Sequence, residues 1–291
     1  MFKGSIPAVV TPFENGKVDV GRYAEHLEWM IESGSQGVVT CGSTGESATL
    51  SHDEHKDVIG ITVKTVNGRI KVIAGTGSNS TDEAIDLTRA AKDLGADGAL
   101  LLSPYYNKPT QEGIYRHYMK VADSVEIPQI LYNVPGRTAS NVLPETVARL
   151  AVHQNIVGIK EATGSLEQAS DVRALCPEAF LLLSGDDAIN YPLLTVGGSG
   201  SISVTANVMP VEMAKMHDLF FDGKLDEALE IHFKMREVTK AMFFETNPVP
   251  AKTALAMMGR IKEDVRLPLC GMSEANKKRL EEVLKKYSLV N

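Results

Sequence analysis

The chain has 291 residues, with 30 Lys+Arg against 37 Asp+Glu, a formal net charge of -7 and no run of five or six basic side chains. That distribution argues against a nucleic-acid or anionic-membrane surface and leaves small molecules as the expected partners. Cys41, Cys176 and Cys270 are widely spaced and outside any C-x-x-C pattern, which suggests neither a disulfide framework nor a zinc site and fits a reducing compartment.

In chain order, the amino-terminal "MFKGSIPAVVTPF" lacks the long apolar core and cleavage site of a signal peptide, and no run of about 18 apolar residues follows. A soluble cytoplasmic protein is expected. Strand-like runs then recur at "SIPAVVTPF", "GVVTCGSTG", "KVIAGTG", "GALLLSPYY", "PQILYNVP", "IVGIKEA", "FLLLSGD" and "GSISVTAN", separated by helix-like stretches. Two of those stretches begin with the capping-box pattern, Ser51 to Glu54 and Ser80 to Glu83. Alternating β and α predicts a parallel sheet buried on both faces, and eight βα units are the number that closes a (β/α)₈ TIM barrel; a doubly wound open sheet is the alternative. Beyond residue 206 only helical spacing remains, in "VEMAKMHDLFFDG", "LDEALEIHFKMREVTKAMF", "PVPAKTALAMMG" and "SEANKKRLEEVLKKYSL". This predicts a catalytic barrel over 1–224 and a C-terminal helical extension over 225–291, with Gly223 and "ETNPVP" as breaks.

In such a barrel, chemistry sits at the carboxyl ends of the strands. Those ends carry "GSTGES", "PYYNKP", "YNVPGRT" and, in "IVGIKEATG", Lys160 at the end of a run that otherwise reads as a buried strand. Lysine is rarely buried without a partner or a task. Strand parity puts Ile156, Gly158 and Lys160 on one face, with Gly158 leaving room for the lysine and Glu161 pointing away. The lysine either snorkels or pairs at the strand end, or serves as a Schiff-base nucleophile. A neutral amine is required for the latter, and burial or a nearby cation such as Arg137 favours that form. Arg137, after a Pro-Gly turn, suits bidentate binding of a carboxylate or a plain surface position. Tyr132 ends its strand either as packing or as a proton carrier.

Taken together, "GSTGES", "SPYYNKPTQEG", "ILYNVPGRT", "GIKEATG", "LLSGDD", "ISVTANV" and "NPVPAK", in this order, closely resemble the dihydrodipicolinate synthase family of pyruvate-dependent class I aldolases, over essentially the whole chain. The resemblance implies a (β/α)₈ barrel with a helical extension and the following roles. Lys160 forms the imine with pyruvate, Tyr132 relays protons, and Arg137 holds the carboxylate of the second substrate. Thr44 and the "GSTGE" backbone receive the pyruvate carboxylate, and Gly185 and Ile202 complete the substrate contacts. Tyr106 reaches into a neighbouring subunit of a homotetramer built as a dimer of dimers. Ser43 stands where the family usually has threonine, which keeps the hydroxyl and loses the methyl that stiffens χ1. The implied reaction joins pyruvate to aspartate 4-semialdehyde, giving 4-hydroxy-tetrahydrodipicolinate, the first committed step toward diaminopimelate and lysine. No cofactor is implied, because the protonated imine is itself the electron sink. Lysine is an implied feedback inhibitor, at Ser47, Ala48, His52, His55, Asn79, Glu83 and Tyr105. Strand-end alternation is expected to send Tyr105 and Tyr106 to different sites. A sibling aldolase, such as an N-acetylneuraminate or keto-deoxy-sugar-acid lyase, is an alternative that Arg137 disfavours, since sialate lyases lack an arginine there. A non-catalytic binding barrel is the other.

Several further patterns carry less. His52 and His55 in "HDEH" have no third metal ligand nearby. "VGGSGSIS" precedes its strand and reads as a turn at the lower face of the barrel. Asp186 and Asp187 read as N-caps, and Cys41 as a buried inert thiol.

Overall fold

The computed structural model describes residues 2–291. Among them, eight parallel strands form one sheet in the order β1 (Gly4–Pro7), β10 (Gly200–Ser203), β9 (Leu181–Ser184), β8 (Ile156–Glu161), β7 (Gln129–Asn133), β6 (Gly98–Leu102), β5 (Lys71–Gly75), β4 (Gly37–Thr40). A parallel bridge between Ala8 and Val39, with the Val9 N–H donating to the Val39 carbonyl at 3.0 Å, ties β1 to β4 and closes the barrel. Seven of the eight strands fall within the expected runs, and β1 starts one residue before its run, at Gly4. The first is shorter than its run, because Phe13 leaves the barrel for a two-stranded hairpin, β2 (Phe13–Glu14) with β3 (Lys17–Val18). Its turn is Asn15-Gly16, both with positive φ, a pair that matches the twist of a two-residue hairpin.

Helices α1 (Val20–Glu32), α2 (His52–Val66), α3 (Thr81–Asp93), α4 (Gln111–Ser124), the single-turn α5 (Pro135–Thr138), α6 (Pro144–Leu150), α7 (Leu166–Leu175) and α8 (Asn190–Thr195) alternate with the strands. Helix α9 (Pro210–Phe221) packs on β1 and completes the outer ring. The long helical run after Gly223 divides at Met235 into α10 (Leu225–Lys234) and α11 (Arg236–Ala241), followed by α12 (Val249–Met257) and α13 (Glu274–Lys286). Their apolar faces meet Val10, Val204 and Val208 in one cluster, so the C-terminal helices cover the end of the barrel where β10 stops. Among the described residues no helix is long and apolar enough to cross a membrane.

Both capping patterns start helices, but differently. Ser51 and Glu54 make the reciprocal pair. Arg266 grips the same Glu54 carboxylate with two nitrogens, at 2.6 and 2.8 Å, holding its pKa down at about 2. Ser80 caps the Glu83 N–H, yet the Glu83 carboxylate leaves the helix end for the Ser78 hydroxyl and His52.

The barrel interior holds Ile6, Val39, Ile73, Leu100, Ile130, Leu183 and Ile202. Here the parity expected for β8 fails. Gln129 pairs with Ile156 and Ile130 with Gly158, so Val157 is an extra residue, a β-bulge. The bulge reverses the face of everything before it. Ile156 packs outward against the helices, while Val157 packs against the interior cluster. Lys160 still faces inward, and Glu161 still faces away, accepting from Asn133 at 3.1 Å and Gln168 at 3.2 Å.

Candidate active site

The carboxyl ends of the strands open onto a cavity of about 290 Å³ that brings together Ser43, Thr44, Tyr132, Arg137, Lys160, Gly185 and Asn247. Lys160 is 5% exposed, and its Nζ lies 4.3 Å from the centroid of the Tyr132 ring, the residue directly across the ladder on β7. No carboxylate among the described residues pairs with it. Its room comes from a different glycine than the sequence suggests. A Cβ on Gly158 would strike Leu181 at 2.6 Å, whereas one on Gly185 would lie 2.7 Å from Lys160 Cε and 2.9 Å from its Cγ. Gly158 therefore serves sheet packing, and Gly185 clears the path of the lysine.

The "GSTGE" segment turns sharply after β4. Gly45 N–H bonds the Gly42 carbonyl at 3.0 Å, and the turn ends at Glu46 in the left-handed region, φ 53°. The Ser43 and Thr44 N–H groups meet no acceptor among the described residues, which leaves two donors at the cavity wall, a nest for an anion. Arg137 stands on α5, whose first residue, Pro135, has the φ that a helix start requires. One guanidinium nitrogen donates to the Asn247 carbonyl at 3.3 Å. Tyr132 and Ser43 share the cavity, but no hydrogen bond joins their hydroxyls among the described residues. Ile202 is 1% exposed in the layer beneath, and Val204, two residues on, lines the cavity instead. Tyr106 lies outside the cavity, 90% exposed with φ 72°. It follows the end of β6 by four residues, so loop geometry, not strand alternation, separates it from Tyr105.

A second cavity of about 380 Å³ shares Ser43, Arg137 and Asn247 with the first. Ser47, Ala48, His52, His55, Glu83 and Tyr105 line it; Asn79 does not, and its amide donates to the Tyr105 carbonyl at 3.2 Å. The Ser78 hydroxyl, and after it His52 at 2.6 Å, hold the Glu83 carboxyl below its ordinary pKa, so the wall carries a ready anion. His55 is buried, its Nε2 donating to the Gly75 carbonyl at 2.8 Å, and burial lowers its pKa.

The model of the dihydrodipicolinate synthetase family matches residues 1–287. The chain belongs to that family. It is 58% identical over 290 residues, spanning all of both chains, to the 4-hydroxy-tetrahydrodipicolinate synthase of Thermodesulfovibrio yellowstonii. Among solved structures, it superposes with TM-score 0.98 on the chloride-inhibited, pyruvate-complexed dihydrodipicolinate synthase of Acinetobacter baumannii, at 44% identity and covering 100% of both chains. It superposes with TM-score 0.96 on the enzyme of Cyanidioschyzon merolae with lysine bound, at 40% identity and covering 99% of both chains.

Within this synthase-family barrel, the remaining patterns resolve as structure. Asp186 caps Ala188 N–H at 3.0 Å, while Asp187 accepts the Val204 and Thr205 N–H groups at 2.9 and 2.7 Å and so anchors the end of β10. Burial pushes the Cys41 thiol up to about 12, a group with no nucleophilic use near neutral pH. No metal-ligating cluster occurs among the described residues. Sequence reasoning overlooked Asn247, which donates to Thr44 Oγ1 at 2.9 Å, and the pair of Glu46 and Lys252, 2.6 Å apart with both side chains buried. A signal was present: Lys252 in "VPAKTALAM" raises the same question as Lys160, a cation inside an apolar run.

Proposed function

We propose that this chain condenses pyruvate with L-aspartate 4-semialdehyde to give 4-hydroxy-tetrahydrodipicolinate. The observation that carries the reading is a buried Lys160, unpaired among the described residues, facing Tyr132 in a cavity that also holds the Ser43 and Thr44 N–H donors and Arg137. Two cation or donor sites suit two carboxylates, and the amine beside them suits a ketone. Lys160 Nζ adds to the pyruvate carbonyl and water leaves, forming the imine. Loss of a methyl proton gives the enamine, whose carbon attacks the aldehyde. The substrate's own amine then attacks the imine carbon, which closes the ring and expels Lys160 as the free amine, releasing the product. Tyr132 and Ser43 move the protons, together with Tyr106 supplied by a neighbouring copy, and Ile202 supports the substrate from beneath. In this reading 1–224 is the catalytic barrel and 225–291 its helical extension, in a cytoplasmic homotetramer.

Arg137→Ala tests the reading against a sibling aldolase. It should weaken use of aspartate semialdehyde by roughly 2–5 kcal/mol, the scale for a desolvated charge pair, while pyruvate adduct formation persists. Equal losses on both substrates, or cleavage of a sugar acid in place of condensation, would reject it.

The exposure of Tyr106 supports assembly, since an aromatic ring 90% exposed in a strained backbone conformation gains nothing in an isolated chain. Tyr106→Phe and Arg137→Ala proteins, each nearly inactive, should recover activity when their subunits are mixed and exchanged. A fully active monomer in sedimentation would exclude this.

The second cavity is proposed as the site of feedback inhibition by lysine. Glu83 pairs with the α-ammonium, the Tyr105 hydroxyl with the carboxylate, and His52, His55, Ser47 and Ala48 surround the side chain. Asn79 acts by bracing Tyr105. A coupling of about 1–3 kcal/mol is ordinary for such linkage. Titration with lysine at saturating pyruvate should lower activity, and Glu83→Ala should relieve the effect; a flat curve into the millimolar range would reject the site.

A further inference from the structure

We infer that Lys252, Glu46 and Asn247 are positioning residues that set the carboxylate-receiving turn of the active cavity from the C-terminal helices. The inference rests on the pyruvate reading above and deepens it. Lys252 is 0% exposed on α12, and its Nζ meets Glu46 Oε1 at 2.6 Å. The other Glu46 oxygen accepts the Arg266 N–H at 3.0 Å. Five residues before Lys252, Asn247 donates to Thr44 Oγ1 at 2.9 Å and offers its carbonyl to Arg137 at 3.3 Å. One short segment thus holds the middle and the last residue of the turn that carries the Ser43 and Thr44 N–H groups, and touches Arg137 as well.

Stability alone does not explain these choices. A buried ion pair is often no more stabilising than apolar side chains of the same size. Glu46 also occupies the left-handed region at φ 53°, unfavourable for a side chain larger than glycine. Asn247 Oδ1 is buried without a hydrogen-bond partner among the described residues. Such strained or unpaired groups persist where the surrounding geometry is what matters. Here that geometry is the direction of two N–H groups. A donor pair displaced by about 1 Å loses much of its hold on a carboxylate.

The test follows the borohydride-reduced pyruvate adduct by mass spectrometry as pyruvate is varied, on the full chain. Glu46→Gln/Lys252→Met removes both charges together and keeps an acceptor for Arg266. Asn247→Ala removes the second grip without leaving a buried charge. Each should require about tenfold more pyruvate for half-saturation, with the maximal adduct per folded chain unchanged. A merely structural role would lower the folded fraction and leave the concentration dependence of the remainder as in the wild type, and that result in both proteins would overturn the inference. Should the double variant fail to fold, Asn247→Ala decides alone. A wild-type chain that forms no pyruvate adduct would overturn the pyruvate reading itself, and is thereby distinguished from failure of the positioning role.

Discussion

Lys160→Ala will take up no pyruvate under borohydride and will lose activity by about 10⁴-fold or more, the scale of removing a group that acts covalently. The physical basis is that nothing else in the cavity replaces it. Tyr132 and Ser43 offer hydroxyls and Arg137 a guanidinium, none of which forms an imine with a ketone. The fold should tolerate the change. Lys160 is buried and makes no ion pair among the described residues, so its removal strands no partner there and relieves the cost of burying an amine. Melting temperature should therefore hold while adduct and turnover vanish. Labelling by pyruvate that persists in Lys160→Ala would assign the imine to another side chain.

Gly185→Ala should also be damaging, although alanine adds only one methyl group. Its Cβ would sit 2.7 Å from Lys160 Cε, 2.9 Å from Cγ and 2.7 Å from the Ala162 Cβ. All three are closer than carbon atoms approach without displacement. Ala162 belongs to the chain just after β8 and cannot retreat, so the lysine stem must move. Overpacking of this kind costs about 1–3 kcal/mol of stability. Shifting the nucleophile by about 1 Å costs on the order of 10²-fold in rate. Stability and rate measured together separate the two effects. A variant with wild-type adduct formation would show that the lysine reaches pyruvate by another rotamer.

Much of this fold was legible because its signals are local. Eight apolar runs separated by helix-like stretches, two of which open on a capping-box pattern, specify eight βα units regardless of what they pack against. Strand ends could be read from the places where Gly, Tyr, Asn and Pro interrupt those runs. The cavity contains Tyr132, Arg137 and Lys160, singled out at strand ends, together with Ser43, Thr44 and Gly185, which the family resemblance implied. Where expectation and structure part, a local rule was extended past its element. Parity failed at Ile156 because Val157 is a bulge, and strand alternation failed for Tyr105 and Tyr106 because both lie beyond β6. The capping-box reading of Glu83 failed because a carboxylate at a helix start also reaches neighbours across the next loop, here Ser78 and His52.

By itself, then, the sequence determined the order and type of the elements, the number that closes a barrel, and the lysine placed at a strand end, because periodicity and turn chemistry act over a few residues. Only the tertiary structure decided which glycine gives Lys160 its room, since Gly185 lies on the neighbouring strand's end and 25 positions away in the chain. It also decided that Lys252 meets Glu46, at a separation of 206 residues. Such contacts depend on how the barrel closes and how the last helices fold back over it, and no spacing within a short window encodes either.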